Sequence, residues 1–453
     1  MTALPRALAP LRHEHYRRLA GALALSLLSS GLWTVALVWQ IVALGGGPAA
    51  LSLVTALSAA GMLASTLVGG ALADRLPQRD ILLAVALVLA VPTAALAVLS
   101  ATGLLALWHL AVVSLVGGLA MGTYYPAYSA LVPVLVPEGE LLAANGLEGV
   151  VRPVLAHAAG PAAAGLLIAA YSPAAALGAA ALASFSAAAF LRGLPARAAG
   201  LIPGAGGGAA VTGLLGDVRE GFRYMVRTPW LLATLLFASL MLLVFIGPFE
   251  VLVPFAVQAA GGGPAQHAAV LAAFGIGGAV GSLVVASLRL PRRYLTVMNL
   301  LWGLGCLPLL AFGFTTDLWL MLAAGAVMGA TFQSGMVIWG TLLQRRVPAA
   351  LLGRVSSLDF FVSLSFMPLS MALAGPVSEL IGLRWTFVVG GTVPVLLAVV
   401  AIVAARMPAD ELAHPLDVGR PDPGPEPVPA GAAWMEDDGA GRAPVREGEP
   451  WRN

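Results

Sequence analysis

Arg75-Leu76-Pro77-Gln78-Arg79 returns in the second half of the chain as Arg289-Leu290-Pro291-Arg292-Arg293. Two more pairs recur at almost the same spacing: Pro137 with Pro348, and Gly160-Pro161 with Gly375-Pro376. Three similar offsets in one chain predict that its two halves are copies of one structural unit. Each copy of the quoted stretch is a short basic connection between two apolar segments. The nature of those segments therefore decides the fold class.

The segments around these connections are too apolar for a protein that folds in water. Hydrophobic residues make up 59% of the 453-residue chain and charged residues 10%, whereas soluble domains carry about 25% charge. A helix that crosses a bilayer needs about 20 mostly apolar residues. Twelve such segments are 17–44, 49–73, 80–101, 104–134, 141–170, 174–194, 229–257, 264–288, 294–314, 318–344, 354–381 and 385–406. The sequence therefore predicts an all-α integral membrane protein with six spans in each half.

Positive charge lies almost entirely on one side of the predicted spans. All 24 basic residues are arginine, and only Arg384 falls in a connection on the opposite side. The 18 on the first side are Arg6, Arg12, Arg17, Arg18, Arg75, Arg79, Arg192, Arg197, Arg219, Arg223, Arg227, Arg289, Arg292, Arg293, Arg345, Arg346, Arg354 and Arg406. Arginine-rich connections stay cytoplasmic, so we expect both chain ends in the cytoplasm. Arginine without lysine, with abundant alanine and glycine, indicates a GC-rich bacterial genome and hence the bacterial inner membrane.

Polar stretches divide the chain into units. The central stretch begins with Pro203-Gly204-Ala205-Gly206-Gly207-Gly208, which is typical of a flexible linker. Its periodic second part, from Leu214 to Arg227, predicts an amphipathic helix on the inner leaflet. From Met407 the chain is rich in Pro, Gly, Asp and Glu, so we expect a disordered tail. The predicted units are a cytoplasmic N-terminus (1–16), a six-helix bundle (17–194), the cytoplasmic linker (195–228), a second six-helix bundle (229–406) and the tail (407–453).

The stretch Gly70-Ala71-Leu72-Ala73-Asp74-Arg75-Leu76-Pro77-Gln78-Arg79 resembles the signature of the major facilitator superfamily between its second and third helices. Further stretches resemble the branch that contains the enterobactin exporter and macrolide-efflux permeases: 126–133, 144–147, 219–224, 343–348 and 353–357. The resemblance covers about residues 12–406. It implies the major facilitator fold, with two six-helix bundles around a central cavity, and export of small molecules.

The resemblance also implies a conformational latch in the signature loop. Its members are Gly70, Asp74, Arg75 and Arg79, together with Gly353 and Arg354 at the start of the eleventh helix. In the family, the carboxylate that matches Asp74 lies near that helix start, where the positive end of the helix dipole attracts it. This contact forms only when the halves close on the cytoplasmic side. The alternative is a basic loop that only anchors the second span.

Glu148 and Arg152 form a charged pair within the predicted fifth span. Their i, i+4 spacing puts both side chains on one helix face, where they can pair; Asn145 lies on the same face. A charge inside the membrane is costly and usually faces the bundle interior or a watery cavity. The pair therefore either contacts substrate and couples to protons, or holds helices together.

Two further carboxylates fall in predicted spans. Glu250 lies in the seventh span between two prolines, at a bend, and is a candidate proton or cation site; it could instead lie in the outer interface as a solvated residue. Asp359, about one turn into the eleventh span, is assigned to capping or to pairing near Arg354.

Aromatic and amide side chains could line an amphipathic cavity. Aromatic faces suit drug-like ligands, although tryptophan is also common at membrane interfaces. The candidate cavity residues are Trp33, Gln40, Tyr124, Asn145, Phe245, Phe332 and Gln333. Gln333 is the best single candidate, because an amide in the middle of a span needs a partner.

The sequence offers no enzyme chemistry. Cys306 is the only cysteine, so no intramolecular disulfide can form. No nucleotide-binding loop, zinc-protease or serine-hydrolase motif occurs, and we expect no cofactor, no metal and no nucleic-acid partner.

Parallel repeats of six helices around a midplane site are typical of secondary transporters. Together with the resemblance, they predict a proton-coupled exporter of small amphipathic or hydrophobic molecules (drug, macrolide or siderophore-like) that works by alternating access. Its expected partners are the small-molecule substrate, protons and the lipid bilayer, and we expect a monomer. The alternatives are an uptake permease for a metabolite and a non-transporting membrane receptor.

Overall fold

The computed structural model of this chain describes residues 6–137, 140–194, 211–288 and 290–416. Side chains are described there except at 6–7, 67–75, 142, 211–218, 349–350, 352–354, 356–357 and 360. Within this described part, twelve helices are long and apolar enough to cross a membrane. The predicted all-α membrane fold with twelve spans is confirmed.

The six spans of the N-terminal bundle follow the predicted segments to within a few residues. A 3-10 helix, Arg6–Arg12, precedes the first span. The spans are Glu14–Ala43, Pro48–Arg75, Gln78–Ala101, Leu107–Leu135, 141–170 and Pro173–Arg192. The fifth span is not one continuous α-helix, because a π-helical turn at Pro153–Ala159 joins Leu141–Arg152 to Gly160–Ala170.

The six spans of the C-terminal bundle are Pro229–Ala259, Pro264–Ser287, Tyr294–Phe314, Leu318–Arg346, 349–381 and Leu383–Ala404. Three of them are interrupted. The seventh span contains a π-helical turn at Pro248–Leu252, and the ninth a 3-10 turn at Leu307–Leu310. The eleventh consists of Ala349–Ser365 and Met367–Ile381, which meet at Phe366. A proline lies within two residues of the start of each interruption, at Pro248, Pro308 and Pro368, and proline removes a backbone donor from the helix ladder.

The two bundles are built by the same helix pairings. In the N-terminal bundle the first span packs against the fifth and sixth, the second against the fourth, and the third against the sixth. In the C-terminal bundle the seventh span packs against the eleventh and twelfth, the eighth against the tenth, and the ninth against the twelfth. Each pairing thus recurs six spans later, as expected for duplicated units.

Glycines allow the closest of these helix contacts. A Cβ atom added at Gly118, in the fourth span, would lie 2.0 Å from the carbonyl oxygen of Ser58 in the second. A Cβ at Gly329, in the tenth span, would lie 1.9 Å from the carbonyl oxygen of Phe274 in the eighth. The two glycines occupy matching positions in the sequence repeat. Small residues at such sites let backbones approach within van der Waals contact.

A linker helix, Val211–Arg227, leads into the seventh span, as the periodicity from Leu214 predicts. The Tyr224 hydroxyl donates to the carbonyl of Arg346 at the end of the tenth span (3.4 Å). Residues 195–210 of the predicted linker lie outside the described residues. Because six spans, an even number, lie on each side of the linker helix in the chain, this helix and both ends of the described chain share one side of the membrane. We call it the arginine-rich side, and the other the arginine-poor side.

The predicted disorder from Met407 onward is wrong for Met407–Ala413, which forms a short C-terminal helix. Arg406 adopts a left-handed conformation (φ 49°) and turns the chain back under the bundle. The Glu411 carboxylate accepts from the backbone N–H and the hydroxyl of Thr296 (2.6 and 3.1 Å), near the free N–H groups that begin the ninth span. Asp410 pairs with Arg346 (2.8 Å). These partners stabilise a helix that the composition of the segment does not predict. Residues 417–453 lie outside the described residues.

Gly118→Ala tests the close packing of the second and fourth spans. The added methyl group overlaps a backbone oxygen, so we expect destabilisation of about 1–3 kcal/mol and a lower melting temperature for the purified protein in detergent. Gly178→Ala, in the sixth span, is the matched control, because no atom lies within 4 Å of its new Cβ. Equal melting temperatures for the two variants would contradict the packing argument.

Asp410→Asn tests the C-terminal helix. The change removes the charge that pairs with Arg346, and a hydrogen bond to a charged group contributes about 2 kcal/mol, so we expect a lower melting temperature. Removal of residues 417–453, which leaves the helix intact, serves as the control and should leave the melting temperature unchanged. A tail deletion as damaging as Asp410→Asn would argue against this role.

Candidate functional site

The two bundles touch closely on the arginine-poor side, where the second span meets the eleventh. The backbone N–H of Gly375 donates to the Ser52 hydroxyl oxygen (2.6 Å), and Ser52 is only 1% exposed. A Cβ at Gly375 would lie 2.6 Å from the Cα of Ala49. Only a glycine permits this approach, so the contact holds the two halves together at that end.

The fifth and eighth spans form a second contact between the halves. A Cβ at Gly165 would lie 2.7 Å from the Cβ of Ala268, and deeper in the membrane a Cβ at Gly275 would lie 3.0 Å from the Cβ of His157. Beside them, the indole N–H of Trp39 in the first span donates to Nδ1 of His267 (3.4 Å). The two hydrogen bonds described between the bundles both lie on the arginine-poor side. That side is closed in this structure.

On the arginine-rich side a polar pocket of about 500 Å³ lies between the fourth and fifth spans. Its lining residues are Tyr125, Tyr128, Ser129, Val132, Pro133, Leu141, Asn145, Glu148, Gly149 and Arg152. The Tyr125 side chain is 57% exposed. Asn145, Glu148 and Arg152 were predicted from helix spacing, and the structure brings all three into this one pocket.

The charges of the pocket are concentrated in one ion pair. Arg152 donates to a carboxylate oxygen of Glu148 on the same helix. The guanidinium carbon lies 5.7 Å from the centroid of the Tyr125 ring, within cation–π range. The Glu148 side chain is 14% exposed and that of Arg152 38%. The pocket therefore offers a partly shielded carboxylate, an accessible cation and an aromatic wall to the same ligand.

Four phenylalanines form an aromatic cluster inside the C-terminal bundle. Phe245 stacks on Phe249 and on Phe332, with ring centroids 5.6 and 5.5 Å apart, and Phe249 lies 4.9 Å from Phe274. Phe245 is fully buried, so it fills the bundle interior, while Phe332 is half-buried. The structure thus places these two predicted cavity residues in contact with each other inside the C-terminal bundle.

Glu250 lies in the π-helical turn of the seventh span, next to Phe249. It is half-buried, and no hydrogen bond or ion pair is described for its carboxyl group. Its turn lies toward Ala259, the end of the span on the arginine-poor side. The turn packs against the second span of the other bundle, so the carboxyl group belongs to a segment at the boundary between the halves.

The remaining predicted cavity residues are placed differently. Gln40 is 4% exposed on the arginine-poor side and accepts from the Ser100 hydroxyl of the third span (2.8 Å), so its partner lies within its own bundle. Tyr124 is buried and stacks on Tyr128 behind the pocket. Trp33 is half-buried on the first span. The stem of Gln333 packs beside Gly278 of the eighth span.

The predicted latch falls mostly outside the described side chains, which leave out Gly70, Asp74, Arg75, Gly353 and Arg354. Arg79 is described, and it caps the end of the sixth span. Its guanidinium group donates to the carbonyls of Leu191 (3.3 Å) and Arg192 (3.0 Å). Basic groups at helix C-termini satisfy free carbonyls and complement the helix dipole.

Asp359, assigned from the sequence to capping or to pairing near Arg354, is hydrogen-bonded in the structure to the tenth span and within its own helix, and the side chain of Arg354 lies outside the described residues. It accepts from the indole N–H of Trp339 in the tenth span (2.9 Å) and from the Ser363 hydroxyl (3.3 Å). Asp359 and Glu148 occupy matching positions in the repeat, at the same offset as Pro348 and Pro137. Among the described residues, no three potential ligands come together as a metal site.

Twelve spans, duplicated bundles and a one-sided closure define a transporter of the major facilitator superfamily. The chain belongs to its transmembrane secretion effector family, which it matches over residues 5–423. It is therefore a multi-pass membrane transporter of small molecules and not an enzyme.

Two efflux proteins are similar to the chain over most of its length. It is 27% identical over 394 residues to the multidrug efflux pump Tap of Mycolicibacterium fortuitum, covering 85% of this chain and 94% of the pump. It is 24% identical over 391 residues to macrolide efflux protein A of Streptococcus pyogenes, covering 83% and 92%. The nucleoside transporter NupG superimposes with a TM-score of 0.70 at 15% identity, over 86% of this chain and 98% of NupG. At that identity the likeness concerns the fold alone.

Cysteine labelling tests the open pocket. In a Cys306→Ala background, Asn145→Cys should react with a membrane-impermeant maleimide added to inside-out vesicles, because Asn145 lines the pocket on the arginine-rich side and is exposed. Gln40→Cys, buried on the other side, should stay unreactive. Labelling of both variants at similar rates would refute the one-sided opening.

Proposed function

We propose that the protein is a proton-coupled exporter of small amphipathic molecules that works by alternating access between its two bundles. The arginine-rich side is cytoplasmic, following the bias of arginine toward cytoplasmic connections, and the membrane is the inner membrane of a bacterium. The protein acts as a monomer, since one chain supplies both bundles.

One observation carries this proposal: the polar pocket lies toward the arginine-rich side, with Tyr125 and Asn145 exposed, while the opposite side is closed by Ser52–Gly375 and by the fifth and eighth spans. With that side cytoplasmic, this is the loading state of an exporter. A ligand reaches the pocket from the cytoplasm and cannot leave outward until the arginine-poor side opens. The efflux function of two relatives favours this direction of transport.

The chemistry of the pocket supports an amphipathic substrate. A volume of about 500 Å³ lies in the range of pockets that hold drug-sized ligands, about 300–1,000 Å³. Tyr125 and Tyr128 supply flat aromatic surface, and Glu148 and Arg152 supply one charge of each sign. A ligand with an apolar ring system and a charged or polar group satisfies both features. Phe332 and Gln333 of the tenth span add an aromatic face and an amide from the C-terminal bundle to the proposed substrate cavity.

Glu250 is the proposed proton site. A charge within the membrane is costly without a partner, and the described residues give its carboxyl group none, so binding a proton removes that cost. Its π-helical turn contacts the second span, which also forms the outer contact with the eleventh. Protonation of Glu250 therefore acts on the segment that must move when the arginine-poor side opens. Glu148 and Arg152 supply the charge that the substrate senses.

The latch of Asp74 and Arg75 with Gly353 and Arg354 completes the proposed cycle. It would form when the cytoplasmic side closes, with the carboxylate at the positive end of the eleventh helix. Arg79, which caps the sixth span, anchors that loop to the N-terminal bundle.

Ethidium, a cationic amphipathic dye, provides the test in inside-out vesicles with an acidic interior. We expect wild-type vesicles to accumulate the dye and to lose it when an uncoupler collapses the proton gradient. Glu250→Gln should lower accumulation to the level of vesicles without the protein, because the variant cannot exchange a proton. Glu379→Gln, the same change at an exposed acid of the eleventh span, should transport normally.

The other outcomes identify the other candidate functions. Proton-driven accumulation in right-side-out vesicles would indicate an uptake permease. Failure of ethidium and of a panel of macrolides to move in either orientation would favour a receptor. Normal pumping by Glu250→Gln would remove that residue from the coupling mechanism while leaving export intact.

A further inference from the structure

One side-chain contact between the bundles contains a titratable group that the proposed mechanism does not use. Trp39 lies near the arginine-poor end of the first span, and His267 begins the eighth. The indole N–H donates to Nδ1 of His267 (3.4 Å), and His267 is 3% exposed. Next to it, Ala268 packs on Gly165 of the fifth span. Alternating access requires the halves to separate here in every cycle, so this hydrogen bond must break and re-form.

The contact fixes the protonation state of the imidazole. An indole nitrogen can only donate, so Nδ1 must accept and must carry no proton. His267 is therefore neutral in this structure, with its one ring proton on Nε2. A second proton, bound at Nδ1, would turn the acceptor into a donor. Two N–H groups would then face each other, and the hydrogen bond would be lost.

The surroundings offer no compensation for a positive charge at His267. The eighth span packs against the first, fifth, seventh and tenth spans. Three titratable groups lie nearest to His267 along these elements. His157 packs at Gly275, about 12 Å further along the eighth span. The others are Glu250 in the seventh span and Asp317, which caps the tenth span by accepting from the N–H of Trp319. The outer half of the first span contributes none. No charged group is described in contact with His267, and an unpaired buried charge is costly.

We propose that His267 is a positioning residue of the transport cycle: the neutral imidazole holds the outer side closed through Trp39, and a proton from the external solution keeps that side open. The inference rests on the proposed exporter only for the identity of the external side. When the bundles separate on that side, water reaches His267 and a proton can bind at Nδ1. Closure then requires the proton to return to the external water. The charged ring cannot accept the hydrogen bond from Trp39, and its charge would be buried without a partner.

This role differs from that of Glu250. Glu250 carries the proton that drives transport, whereas His267 returns its proton to the side from which it came. The consequence is a conformational equilibrium that depends on external pH even without substrate. Each proton linked to opening changes the ratio of open to closed states by at most about tenfold per pH unit.

Distance measurements by pulsed electron spin resonance test this. Spin labels are attached at two exposed positions on the arginine-poor side, Ala101→Cys at the end of the third span and Thr316→Cys between the ninth and tenth spans. The background is Cys306→Ala, reconstituted in lipid nanodiscs. Gly165→Trp, which wedges the fifth span away from the eighth, supplies the reference distance of the open outer side. Between pH 8 and pH 5 we expect the long-distance population of the otherwise unmodified protein to rise several-fold.

Two histidine variants show which residue causes the pH response of the distance. His267→Gln keeps an acceptor for Trp39 but cannot be charged, so the outer side should stay closed at every pH. His157→Gln, at the same interface between the fifth and eighth spans, should retain the full response. A pH response that survives in His267→Gln, or that disappears in His157→Gln instead, overturns the proposal, as does a wild-type distance that does not change with pH. The distance measurement uses no substrate. A negative result would therefore contradict the role of His267 and not the exporter function, and absence of dye transport would contradict the exporter function and not the role of His267.

Discussion

Lipid offers no hydrogen bonds, so every backbone N–H and C=O group in the bilayer must find its partner within the protein. Helices satisfy this requirement internally, and the twelve described spans are the result. The same requirement restricts irregular backbone to places that protein covers. The π-helical turn Pro153–Ala159 packs against the eighth span, and Pro248–Leu252 packs against the second. Both interruptions therefore lie at the boundary between the bundles, where their freed backbone groups are shielded from lipid and where the bundles must move.

The closed side is held mainly by shape. Glycine at positions 165, 275 and 375 lets helices of opposite bundles approach to backbone contact, and dispersion forces act only at such short distances. A small separation already loses these contacts, so the interface is either formed or open, which suits a two-state mechanism. The polar contributions there are few, and one of them, Trp39–His267, depends on protonation. The opposite side carries the ion pair Glu148–Arg152 and the exposed ring of Tyr125, which suit an opening rather than a seal.

Much of this arrangement follows from local sequence. Spans of sufficient apolar length, the offset between halves and the i, i+4 spacing of Glu148 and Arg152 are short-range patterns, and the structure has each of these features. Gln40 shows the limit of such reasoning. A buried amide must be paired, but the identity of Ser100 as its partner depends on how the first and third spans are rotated about their axes. The C-terminal helix was missed for a similar reason, because its stability comes from Thr296 and Arg346 rather than from its own composition.

The sequence by itself determined that this chain is a duplicated, twelve-span membrane protein, because hydrophobicity, chain length and arginine distribution act on each segment independently of its neighbours. Only the tertiary structure decided which side is closed and which side chains meet across the bundles. Trp39 and His267 are 228 residues apart, and Ser52 and Gly375 are 323 apart. Such contacts depend on the orientation of whole bundles, whose energy is shared among many weak packing interactions that no local pattern records.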